Sequence, residues 1–127
     1  MITLIKNLPD DIIGYSYDDE VTAADYEKVL LPAIEAGSKK SKGLNVLCRL
    51  GENFKGFKLD ALKEDMEIGI KYFKEWKKIA FVSDKEWMNH IIKAFGFLVP
   101  AKVMTFENKE MNAAIKWLLE LGSEPNR

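Results

Sequence analysis

Apolar residues fall at every second position through Leu44, Val46, Cys48 and Leu50. That is the period of a strand with one wholly apolar face, and Asn45, Leu47 and Arg49 form a mixed second face. Residues 2–8 and 12–17 are two more β-rich runs, and Pro9-Asp10-Asp11 between them is a turn signal that predicts a hairpin. Residues 78–83 and 102–106 complete five strands.

Between the strands the apolar spacing lengthens to three and four. Tyr26, Val29, Leu30, Ala33 and Ile34 predict a helix capped by Thr22, with Asp25 at its positive end, a bend at Pro32 and a stop at Gly37. Leu62, Met66, Ile70 and Phe73 predict the inward face of a second helix running from about Asp60 to Trp76. Lys63, Glu64, Glu67, Lys71 and Lys74 lie toward its outer side, some spaced for opposite-charge pairs. Asp84 caps a third helix carrying Trp87, Met88, Ile91, Ile92 and Phe95, ended by Gly96 and Pro100. Asn108 caps a fourth, with Met111, Ala114, Ile115, Leu118 and Leu119, stopped by Gly122. The last five residues read as a mobile tail.

The order β-β-α-β-α-β-α-β-α implies right-handed crossovers and a mixed five-stranded sheet, its first strand antiparallel and the rest parallel. A chain of 127 residues suits one domain spanning 1–127. The net charge of -1 gives no electrostatic footprint for nucleic acid. Neither a signal peptide nor a run of ~20 apolar residues is present. Cys48 is the single cysteine, which excludes an internal disulfide and a multi-cysteine zinc site and fits a reducing cytoplasm.

The densest candidate chemistry is in residues 51–59, GENFKGFKL, between the third strand and the second helix. Loops at the carboxyl ends of parallel strands are where ligands dock. This one holds two phenylalanines, two lysines and two glycines but no nucleophile. Gly51 and Gly56 have phosphate-loop spacing, yet Phe57-Lys58 stands where such a loop needs Lys-Ser/Thr. His90 has no convergent partner for metal or acid–base work. Cys48, among apolar neighbours, reads as buried and inert. Glu64 and Asp65 point about 100° apart and read as a solvated face and a local hydrogen-bond partner. No catalytic residue, cofactor or metal is expected. Lys71, Lys74, Lys77 and Lys78 flank Tyr72 and Trp76, a basic–aromatic edge suited to weak contact with an anionic membrane surface.

Five stretches in order resemble one family: residues 21–36 (VTAADYEKVLLPAIEA), 54–57 (FKGF), 63–66 (KEDM), 77–87 (KKIAFVSDKEW) and 113–118 (AAIKWL). Together they resemble the SpoIIAA-like proteins of the STAS/SEC14 type. The resemblance implies a (βα) superhelix with its main helices on one face of the sheet, and members that bind apolar ligands or associate with membranes. In anti-sigma-factor antagonists of similar fold, a Ser or Thr at the start of the second helix is phosphorylated. Here the matching stretch is Phe57-Lys58-Leu59-Asp60, and no Ser or Thr occurs between Asn45 and Ser83. Asp60 stands near the cap instead, so the phosphorylation switch is not expected.

The leading expectation is a cytoplasmic, non-enzymatic module for an apolar or amphipathic, lipid-like small molecule. Phe54, Phe57, Met66, Ile70, Trp87, Met88 and Ile91 would contact it, with Lys55 or Lys58 beside a polar head and the loop acting as a mobile cover. The alternative is a regulatory protein-interaction module that docks a partner on the same loop and helix end. A homodimer is also expected, because the sheet face opposite the helices would otherwise expose apolar side chains.

Overall fold

A computed structural model describes residues 1–40, 43–72, 74–95 and 101–120. Among the described residues seven strands form: β1 (Ile2–Leu4), β2 (Ile12–Tyr17), β3 (Glu20–Val21), β4 (Leu44–Leu50), β5 (Gly56–Phe57), β6 (Trp76–Val82) and β7 (Lys102–Phe106). The helical segments are α1 (Ala23–Asp25), a π turn (Tyr26–Leu30), α2 (Leu31–Lys40), α3 (Leu59–Lys71), α4 (Glu86–Phe95) and α5 (Met111–Leu119), the last preceded by a 3-10 turn at Asn108–Glu110.

The main sheet has the order β1-β2-β4-β6-β7, with β1 antiparallel to β2 and every other pairing parallel. From β2 to β7 the chain always steps the same way across the sheet. Right-handed crossovers therefore put α2, α3 and α4 on one face. There they meet Tyr17 of β2 and the alternate residues Leu44, Val46, Cys48 and Leu50 of β4. α5 follows the last described strand and lies across the other face, with Ala114 and Leu118 against Leu47, Ala80, Val82 and Phe106. Ile5 and Leu8 pack beside it. The apolar face on which the expected homodimer rested is thus covered by α5.

Thr22 caps α1 as its sequence predicts: the Asp25 N–H donates to Thr22 Oγ1 at 3.3 Å, and the Thr22 N–H donates to Asp25 Oδ2 at 2.8 Å. Just before Pro32, where a bend is expected, the backbone widens into the π turn Tyr26–Leu30. Pro32 has no N–H to give to the carbonyl four residues back. Gly37 does not stop the helix. It lies inside α2, where a Cβ would run into the Ile13 side chain, so its role is close helix–sheet packing. Asp84, expected to cap the third helix, instead accepts from Asn108 N at 2.9 Å and Asn108 Nδ2 at 3.1 Å. The expected roles of Phe73, Gly96, Pro100, Gly122 and the tail fall outside the described residues, as does the side chain of Phe95.

Candidate functional site

The loop at 51–59 is pinned by backbone pairing. β3 and β5 form a separate parallel pair, Glu20 opposite Gly56 and Val21 opposite Phe57. Around it the Asp19 N–H donates to Asn53 O (3.0 Å), the Lys55 N–H to Asp19 O (2.8 Å) and the Lys58 N–H to Val21 O (2.9 Å). A Cβ at Gly51 would collide with the Asp18 carboxylate, and Gly56 has φ +131°, a conformation that favours glycine. The expectation of a mobile cover is corrected accordingly: this segment is a buttress tied to the end of β2.

Its aromatic rings form the inner support of the site. Phe54 is buried and packs edge-on to Phe57 (5.2 Å between centroids). Tyr17 stacks on Phe54 at 6.3 Å and meets Phe57 edge-on at 5.3 Å. Next to this cluster, between the sheet and α2, α3 and α4, is a cavity of about 500 Å³. Its floor is Tyr15 and Tyr17 of β2, Val46, Cys48 and Leu50 of β4, and Ile79 and Phe81 of β6. Leu30 and Ile34 form one wall, and Met88 and Ile92 of α4 another. α3 contributes Asp65, Met66, Ile68, Gly69 and Ile70.

The orientation of α3 is the main departure from the sequence reading. Ala61, Ile68 and Tyr72 are buried, and Asp65, on the same stripe, is exposed where it lines the cavity. Leu59, Leu62, Met66 and Ile70 lie on the exposed side, with Leu59 85% and Ile70 68% exposed. The inward stripe therefore carries a carboxylate. Asp65 is open to water from the cavity, yet protein surrounds it closely enough for desolvation to raise its pKa; the Tyr26 hydroxyl, a hydrogen-bond partner, pulls it back down. Asp65, expected as a local hydrogen-bond partner, is exposed where it lines the cavity. Behind it the hydroxyls of Tyr26 and Tyr17 are 2.9 Å apart. Burial raises the pKa of Tyr15, Tyr17, Tyr26 and Cys48, and the Asp65 charge adds to it at each. The Cys48 thiol stays protonated and inert.

Of the residues expected to contact a ligand, Phe57, Met66, Ile70 and Met88 come together in the cavity wall, Met66 and Ile70 at its exposed rim. Phe54 lies one layer behind. Trp87 and Ile91 sit on the outward side of α4, 56% and 48% exposed, apart from the lining. Lys55 and Lys58 are exposed and also apart from it, and Lys58 Nζ lies 3.7 Å from Glu20 Oε1. Of the expected basic–aromatic edge, Lys71 lies over the Tyr72 ring at 5.5 Å, while Trp76 and Lys78 are engaged elsewhere. Tyr72 is buried, the Trp76 indole N–H donates to Gly69 O at 3.1 Å, and Lys78 turns to the α5 face, where its ammonium donates to Trp117 O and Glu120 O. Sequence reasoning missed Tyr15, Tyr17, Tyr26, Asp65 and Gly69. The one usable signal was phase: Asp65 lies four residues after Ala61 and three before Ile68.

A mixed sheet with three crossover helices over an apolar cavity defines the class, an α/β fold of the kind used in general for regulatory and binding modules. The sequence profile of the SpoIIAA-like family matches residues 12–119, and the chain belongs to that family. Among solved structures it is similar to an uncharacterised protein with a SpoIIAA-like fold from Shewanella loihica PV-4. The two are 24% identical, with a TM-score of 0.74 over 93% of this chain and 92% of the other. No curated protein sequence matches significantly. Among the described residues, no helix is long and apolar enough to cross a membrane.

Proposed function

We propose that the protein is a non-enzymatic binding module that takes an apolar or amphipathic, lipid-like small molecule into the cavity under α3. The observation that carries this reading is Gly69. It sits inside α3, where glycine costs a helix about 1 kcal/mol relative to alanine, and a Cβ there meets nothing within 4 Å. No close packing requires the glycine, and the space it leaves adjoins an apolar cavity of about 500 Å³. Small-molecule sites run roughly 300–1,000 Å³.

Native mass spectrometry and solvent extraction of freshly purified protein test the reading, together with thermal shifts on adding single-chain amphiphiles. A bound adduct, or a rise in Tm with added amphiphile, is the expected result. Gly69→Ala should raise the Tm of the empty protein by about 2–4 °C. Gly69→Phe, which projects a ring into the space, should weaken uptake about ten-fold or more. No adduct and no thermal shift with any amphiphile would sink the reading.

A second reading, a regulatory protein-interaction module without the phosphorylation switch, is favoured by the exposed stripe Leu59, Leu62, Met66 and Ile70. Peripheral contact with a lipid surface would use the same stripe. Leu59→Lys with Leu62→Lys spares the cavity lining and separates the two readings. Docking predicts that the pair abolishes pull-down of a protein partner while amphiphile uptake persists; retained pull-down would exclude the stripe as its surface.

A further inference from the structure

We propose that the occupant of the cavity carries a cationic, hydrogen-bond-donating head, a protonated amine, and that Asp65 is the group that receives it. The inference rests on the cavity being a ligand site and assigns the chemistry of one end of it. The wall is apolar apart from Tyr15, Tyr17, Cys48 and Asp65. Among the described residues no Lys, Arg or His lies within ion-pair distance of the Asp65 carboxylate; the ion pairs that form join Met1 to Asp25, Lys58 to Glu20 and Lys71 to Glu35. A carboxylate beside apolar walls is costly unless it is paired.

The neighbouring groups leave that vacancy open. A carboxylate has about four lone-pair sites. The Tyr26 hydroxyl is near enough to lower the Asp65 pKa, and lies 2.9 Å from the Tyr17 hydroxyl. The carboxylate is exposed where it lines the cavity, which leaves lone pairs available from that side. An ammonium entering there gains charge-assisted hydrogen bonds and relieves the desolvation that raises the Asp65 pKa. An anionic head would meet the Asp65 charge with no cation in the lining to offset it, because Lys55 and Lys58 stand outside. The proposal therefore reverses the polarity expected from the loop lysines.

Calorimetric titration of the full chain with decylamine, 1-decanol and decanoate at neutral pH, all below their micelle concentrations, holds the chain length constant and varies the head. Decylamine should bind about ten-fold more tightly than decanol, and decanoate more weakly than both. Asp65→Asn, which keeps the size of the side chain and removes its charge, should bring decylamine to within about two-fold of decanol and leave decanol unchanged. Decanoate binding as tightly as decylamine in the wild type would overturn the head assignment while the cavity reading stands. An unchanged ranking in a folded Asp65→Asn protein would do the same. Failure of all three to bind would overturn the cavity reading, and this proposal with it.

Discussion

Tyr26→Ala should cost about 3–5 kcal/mol of folding stability, the range for truncating a buried aromatic ring. That is a large share of the roughly 5–15 kcal/mol available to a domain of this size. The ring is wholly buried in the first residue of the π turn, packed 6.2 Å from the Tyr17 ring, in the core that joins β2, β4 and α3. No neighbour can swing in to replace it, because the adjacent π turn and Pro32 restrict how α2 can shift. Tyr26→Phe keeps the ring and removes the hydroxyl, so about 1 kcal/mol is expected. Urea denaturation of both variants measures the difference. A loss below about 1 kcal/mol for the alanine variant would show that the first helical segment is anchored elsewhere.

The architecture was legible wherever a periodic signal had length to act over. Alternation through Leu44, Val46, Cys48 and Leu50 marked β4 as a central strand with one wholly apolar face, and every one of those side chains is buried. The Pro9-Asp10-Asp11 turn located the antiparallel edge, and helix–strand alternation implied the parallel order. The β3–β5 pair was not legible, because two residues per strand carry no period. Gly37 was misread for a related reason. A glycine near a helix end signals a stop, but a helix pressed onto a strand also needs one, and only the Ile13 side chain distinguishes the two.

The site was partly legible, and its error has a single source. Sequence patterning assigned the inward face of α3 to Leu62, Met66 and Ile70, its larger apolar residues. The structure turns Ala61, Ile68 and Tyr72 inward, with Asp65 exposed in the cavity lining, and leaves the larger stripe at the rim and on the surface. A rule that places the greatest apolar bulk inside describes a filled core. A helix that roofs a cavity carries small residues and a few polar groups, so the pattern departs from the rule where the cavity lies. The same logic explains the loop: Phe54 and Phe57 were read as a cover over the ligand, whereas Phe54 supports Tyr17 from behind and Phe57 alone reaches the cavity wall.

Lys78→Met should lower stability by about 2–3 kcal/mol through the opposite face of the sheet. The Lys78 stem is buried and its ammonium lies 5.2 Å from the centre of the Trp117 ring. It donates to Trp117 O at 2.9 Å and to Glu120 O at 2.8 Å at the end of α5, where Trp117 O otherwise accepts only from the Glu120 N–H at 3.3 Å. A positive charge there also opposes the negative end of the helix dipole. Methionine keeps the apolar stem and loses these interactions, so α5 should open more readily from Leu47, Ala80, Val82 and Phe106. Hydrogen exchange should quicken at the α5 amides, and the urea midpoint should fall. Unchanged exchange in α5 would mean that Ala114 and Leu118 alone hold it in place. Decylamine affinity per folded molecule should not change, because α5 and the cavity lie on opposite faces of the sheet and share no lining residue. That independence gives the fold a physical logic. The face closed by α5 supplies close packing, which lets the other keep an unfilled cavity and an unpaired carboxylate that a close-packed core would not tolerate.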